Sequence, residues 1–111
     1  MIAGCASAPG RLDGAREVFS LELKPYAVIE DCIALEAGER VAYRFDARLP
    51  VAFNVHFHDV NAVVMPLTRD NTTSESGDFS ADREQIYCLT WEAGAGGSIL
   101  DYRVGPWPPR R

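Results

Sequence analysis

The chain has 111 residues, 47% of them hydrophobic and 24% charged, which suits one domain burying roughly two-thirds of its extended-chain surface. Its formal charge is −5, from 11 basic and 16 acidic side chains. That balance argues against a nucleic-acid partner, which calls for a positive surface. No segment approaches the roughly 20 apolar residues that a membrane-spanning helix needs.

Residues 1–16 read as a flexible leader or arm, dominated by small residues (Ala, Gly and Ser) with one Pro and without a sustained period. Within it, Ile2-Ala3-Gly4-Cys5 resembles the end of a bacterial lipoprotein signal. That resemblance implies cleavage before Cys5, lipid attachment to it, and a place in the bacterial periplasm or cell envelope, with membrane association through the anchor. A secretory signal also carries a charged start and an apolar region of roughly 7–15 residues. Here the match is either the end of a longer signal or a short coincidence.

EVFSLELK, residues 17–24, reads as a first strand, with Phe19, Leu21 and Leu23 alternating against Ser20 and Glu22. Pro25 marks an edge or a turn. Val28, Ile29, Cys32, Ile33 and Leu35 form the next apolar segment, which stops at EAGER, residues 36–40, where Gly38 supplies permissive backbone. In RVAYRFDA, Val41, Tyr43 and Phe45 oppose Arg40, Ala42, Arg44 and Asp46. Pro50 punctuates before FNVHFHD, residues 53–59. There Phe53, Val55 and Phe57 share one phase, while Asn54, His56 and His58 share the other.

AVVMPL at 62–67 reads as a strand or edge. TRDNTTSESGD at 68–78 is the most polar stretch and is expected to be a surface loop, with Phe79 as the anchor where the chain returns. In IYCLTW, residues 86–91, Tyr87, Leu89 and Trp91 hold one phase against Ile86, Cys88 and Thr90. Gly94, Gly96 and Gly97 mark a turn, and SILDYRV at 98–104 supplies the last strand, with Leu100, Tyr102 and Val104 inward. The tail, residues 105–111, holds too much proline for a central strand and is expected to lie extended on the surface. Trp107 would either cap one end of the domain or meet a partner.

Residues 17–104 therefore predict a single all-β domain, an antiparallel β-sandwich of about seven or eight short strands, jelly-roll-like, with an open barrel as the alternative. The succession LEAGERVAYRFDARLPVAFNVHFHD, YCLTWEA and ILDYRV resembles the GOLD β-sandwich domain and its bacterial exported relatives. Gly38, Tyr43, Phe45, Phe53, Val55 and Trp91 match that arrangement, whereas Glu92-Ala93 departs from the amide that often follows the Trp. The resemblance implies a protein-interaction module and supplies no catalytic residues.

Two chemistries compete for the cysteines and histidines. With Cys5 set aside for lipid, Cys32 and Cys88 remain as an even pair that could form a disulfide suited to an exported domain, or two buried thiols. His56 and His58, the only histidines, could reach one Cu or Zn ion from a shared strand face, with a third or fourth ligand from Cys88 (in place of its disulfide role), Cys32, Asp59 or a carboxylate of the polar loop. The plainer reading is that both imidazoles hydrogen-bond within a half-exposed sheet face. No cofactor is firmly expected.

A hydrolase would need His56 or His58 with Asp59 and a nucleophile such as Ser74 or Ser76, and no nucleophile elbow accompanies them. Gly94-Ala95-Gly96 is a hairpin signal, since no βαβ unit surrounds it. The sequence thus predicts a noncatalytic module that binds a protein or small molecule, with transition-metal binding through the His-x-His strand as the alternative and a small hydrolytic enzyme behind both.

Overall fold

The computed structural model describes residues 10–109. Its strands are β1 (Arg16–Leu23), β2 (Val28–Leu35), β3 (Arg40–His58), β4 (Val63–Ser80), β5 (Gln85–Ala93) and β6 (Ser98–Pro106), and the described residues include no helix. All pairings are antiparallel, in the order β1-β6-β3-β5-β2, with β4 beside β3. β3 serves two neighbours in turn: residues 41–47 pair with β6 and residues 51–56 with β5, while β4 accompanies it on both stretches.

β1 and β2 are the two ends of this order, yet only the turn Lys24–Ala27 joins them, closed by the Ala27 N–H donating to the Lys24 carbonyl at 2.9 Å. β4 holds one edge of β3 along both stretches, so β6 and β5 lie end to end on its other edge, with β1 and β2 end to end beyond them. The sheet bends at the bulge between Asp46 and Val51 of β3 and at the turns 24–27 and 94–97, and so curls into a half-barrel. Arg16 crosses the gap between β1 and β2, its guanidinium 3.0 Å from Asp31 Oδ1 and 3.4 Å from the Cys32 carbonyl. Ahead of β1, the Gly10 carbonyl accepts the Ala34 N–H at 3.1 Å, and Arg11 pairs with Glu39, so residues 10 and 11 lie along the free edge of β2.

The core lies inside the curl. Val41, Tyr43, Phe45, Val51, Phe53, Val55 and Phe57 of β3 are buried, as are Tyr87, Leu89 and Trp91 of β5 and Leu100, Tyr102 and Val104 of β6. These are the inward phases that the alternation predicts. Aromatic contacts run from Tyr43 to Phe53 (5.1 Å between centroids), to Trp91 (5.4 Å) and on to Tyr102 (4.4 Å).

Three expectations are corrected. The strands number six because Pro50 bends β3 without ending it: β3 uses five residue steps from Asp46 to Val51 while β4 uses two from Ser74 to Thr72. Ala47 and Val51, on either side of this bulge, stay in the inward phase. Residues 68–78 are strand, the greater part of β4, paired with β3 from Thr68↔Asn54 to Asp78↔Ala42. Their polarity reflects an edge strand that contributes mainly backbone to the sheet. Phe19 is 66% exposed, because a bulge between Val18 and Leu21 moves it outward. Ser20 sits there at φ 56°, its N–H donating to Asp101 Oδ1 at 2.7 Å. In addition, Gly105 and Pro106 extend β6 opposite Ala42 and Val41.

Candidate functional site

Strand alternation places Glu17, Arg103, Arg44 and Ser76 in one row across β1, β6, β3 and β4, on the outer face of the half-barrel. Arg44 and Arg103 are directly opposed, and like charges in that position repel. Glu17 offsets one of them, its carboxylate 3.3 Å from Arg103 Nε. Among the described residues no carboxylate lies within ion-pair reach of Arg44. The row therefore carries one uncompensated positive charge on a chain whose net charge is −5.

A groove of about 740 Å³ lies over this row, lined by Glu17, Arg44, Ser76, Asp78, Arg103 and Trp107 among others. Trp107, 43% exposed, forms one wall and is held by the Arg40 guanidinium, 4.6 Å from its ring centroid. Arg40 is itself fixed by Asp78 at 3.0 Å and Ser80 at 3.2 Å. On the other side of the row, exposed Phe19 borders a small depression with Asp46 and Asp101. Beneath the groove, Gly77 leaves room for the Tyr43 ring, whose hydroxyl reaches Glu75 at 2.6 Å. Burial, reinforced by Glu75, pushes the Tyr43 hydroxyl pKa well above the ordinary tyrosine value.

The histidines occupy the outer face of the other half. Register aligns Cys32, Cys88 and His56 across β2, β5 and β3, with Glu30, Thr90 and Asn54 in the adjacent row. Cys32 and Cys88 are joined in a disulfide. His56 is buried, its Nδ1 2.8 Å from Asn54 Oδ1 and its Nε2 3.6 Å from Glu30 Oε2. His58 is exposed, its ring edge-on to His56 at 5.3 Å between centroids. The disulfide occupies the Cys88 sulfur, so the expected set His56, His58 and Cys88 offers two imidazoles and no thiolate in this state.

Ser74 and Ser76 lie opposite Asp46 and Arg44 on the first half of β3, whereas His56 and His58 are at its far end and Asp59 follows it. These serines and histidines are thus not brought together as the nucleophile–base pair that a triad requires. Cys5, Arg110 and Arg111 lie outside the described residues. Sequence reasoning did not single out Arg44, Arg103, Glu17 or Glu30. The signal available was their outward phase, while the register that joins them comes from pairing between distant strands.

No protein-family model and no curated protein sequence matches the chain, and the GOLD-like arrangement rests on the residues quoted above. In fold, the chain is similar to Aeromonas hydrophila PliG, a periplasmic lysozyme inhibitor of g-type lysozyme, with a TM-score of 0.58, 11% identity, and 83% of this chain and 85% of that one covered. A second solved structure, described as CBM4 structure and function, aligns with a TM-score of 0.47 and 13% identity over 85% of this chain and 72% of that one. At 11% identity the likeness to the first of these is one of fold, an all-β, sandwich-like architecture.

Proposed function

We infer that the chain is a noncatalytic binding module of the bacterial periplasm or cell envelope, and that the groove over Arg44 receives a protein segment bearing a carboxylate. The observation that carries this reading is the opposed pair Arg44–Arg103 with a single acidic partner, flanked by the exposed rings of Trp107 and Phe19. Arginine and aromatic side chains dominate the energetics of protein interfaces. A partner carboxylate at Arg44 would relieve the repulsion in the row through a charge-assisted, two-pronged contact. A protein of the same fold class serves as a periplasmic lysozyme inhibitor, which supports the use of this scaffold for binding a protein. The disulfide supports an exported location, and lipid attachment at Cys5 belongs to this proposal as a means of anchoring.

A photo-reactive residue at Ser76, inside the groove, tests the reading against one at Glu92, on the other half. Incubated with envelope extract and irradiated, the Ser76 form should give a discrete adduct that Arg44→Glu abolishes. Adducts formed only from Glu92, or unaffected by Arg44→Glu, would overturn it.

A further inference from the structure

The row Cys32–Cys88–His56 has a second use that the disulfide conceals. One oxygen of Glu30, one ring nitrogen of His56 and the Cys88 sulfur lie within 4.8 Å of one another. Cys32 stands directly opposite Cys88 in the ladder and is bonded to it, so its sulfur adjoins this cluster of three. The imidazole is already oriented: with Nδ1–H donating to Asn54 Oδ1, the lone pair of the neutral ring sits on Nε2, which is the nitrogen facing Glu30. A histidine ligand whose other nitrogen is held by a hydrogen bond is the arrangement that fixes tautomer and ring direction in metal sites. His56 is buried, Cys88 is buried, and the ladder fixes their separation on rigid strands.

We propose that reduction of the Cys32–Cys88 disulfide creates a four-ligand zinc site from both sulfurs, His56 Nε2 and a Glu30 oxygen. The reductant is a dithiol. Its two sulfurs become a disulfide, and two electrons and two protons pass to Cys32 and Cys88, giving two thiols. Zn(II) then binds as both thiols ionise, and two protons are released to solvent. The donor set of two thiolates, one imidazole and one carboxylate suits tetrahedral zinc, with Zn–S near 2.3 Å and Zn–N near 2.0 Å. The sulfurs need only part by side-chain rotation to reach those distances, because their backbones already face each other. His58, the other histidine of the strand, is not required. The site lies on a different half of the barrel from the groove and stands independently of the binding reading.

The test uses the full chain carrying Cys5→Ser, so that two cysteines remain. Zn(II) is titrated against a chromophoric chelator before and after reduction with a phosphine, and Co(II) is added in parallel. The reduced protein should bind one Zn(II) at least 100-fold more tightly than the oxidised protein. Co(II) should develop the intense thiolate charge-transfer band and the tetrahedral visible bands. His56→Ala and Glu30→Gln should each weaken Zn(II) binding at least 10-fold, while His58→Ala should leave it unchanged. If reduction unfolds the chain, far-UV circular dichroism should show Zn(II) restoring the β signal. Equal binding by both redox forms, binding insensitive to His56→Ala, or a reduced chain that Zn(II) does not refold would each overturn the proposal.

Discussion

Trp91 of β5 lies on Tyr102 of β6, with ring centroids 4.4 Å apart and planes 28° apart. β5 and β6 are not adjacent in the sheet, so this stack is where the two halves of the curled sheet meet across the core. Trp91 is fully buried, and an aromatic side chain of this kind removes about 150–250 Å² from water. Trp91→Ala is expected to destabilise the fold by about 3–5 kcal/mol. Urea unfolding followed by circular dichroism checks this, and a loss below 1 kcal/mol, about a fivefold change in the folding constant, would show that the halves do not depend on the stack.

Alkaline pH probes the same region. Burial, followed by the hydrogen bond to Asp31 and its charge, raises the Tyr102 hydroxyl pKa well above the ordinary value, and burial with Glu75 does the same for Tyr43. The native state therefore keeps protons that the unfolded chain releases near pH 10. This stabilisation is complete below about pH 10 and is lost as pH rises from there through the native-state values. The urea midpoint should fall steeply above about pH 10, and Tyr43→Phe with Tyr102→Phe should flatten that fall. An unchanged alkaline slope in the double variant would contradict the assignment.

The disulfide closes a long loop, Cys32 and Cys88 being 56 residues apart. Loop-closure entropy for that separation corresponds to roughly 4 kcal/mol. Cys32→Ser with Cys88→Ser should lower stability by about that amount in metal-free buffer. Intact-mass measurement with and without reductant, followed by denaturant titration, checks both the linkage and its effect.

Gly97 tests the turn that carries the chain from β5 to β6, which pair with successive stretches of β3 and not with each other. It sits at φ 69°, and a Cβ there would lie 2.5 Å from the Leu23 carbonyl oxygen. Backbone cannot swing aside as a side chain can, and the left-handed conformation adds strain of about 1 kcal/mol or more. Gly97→Ala should therefore lower the melting temperature clearly, whereas Gly94→Ala, whose Cβ meets nothing within 4 Å, should be much milder.

Alternation made the core legible in the sequence wherever a strand has one buried face. Val41 through Phe45, Phe53 through Phe57, Tyr87 through Trp91 and Leu100 through Val104 all point inward in the phase their spacing indicates. The Gly38 turn was equally plain: its φ of 87° needs glycine, and the Glu39 N–H closes the turn on the Glu36 carbonyl at 3.0 Å. β4 was not legible. An edge strand of Thr, Ser and acidic residues has no buried face to impose a period, so TRDNTTSESGD reads as loop although most of it pairs with β3. Phe19 misled for another reason, since a bulge shifts phase without leaving a signal in the alternation. Arg44 and Arg103 were visible as outward residues, but their opposition depends on pairing between strands that are far apart in sequence.

The proposed docking of an acidic protein segment at Arg44, in the groove beside Trp107, is measured most directly by calorimetry. The partner captured from the Ser76 position is purified, and its affinity is determined for the wild type, Arg44→Glu and Trp107→Ala at low and physiological salt. Arg44→Glu should weaken binding at least 10-fold, about 1.4 kcal/mol, with a shallower salt dependence than the wild type, and Trp107→Ala should weaken it at both salt concentrations. Wild-type affinity in Arg44→Glu, with an unaltered salt dependence, would contradict the account.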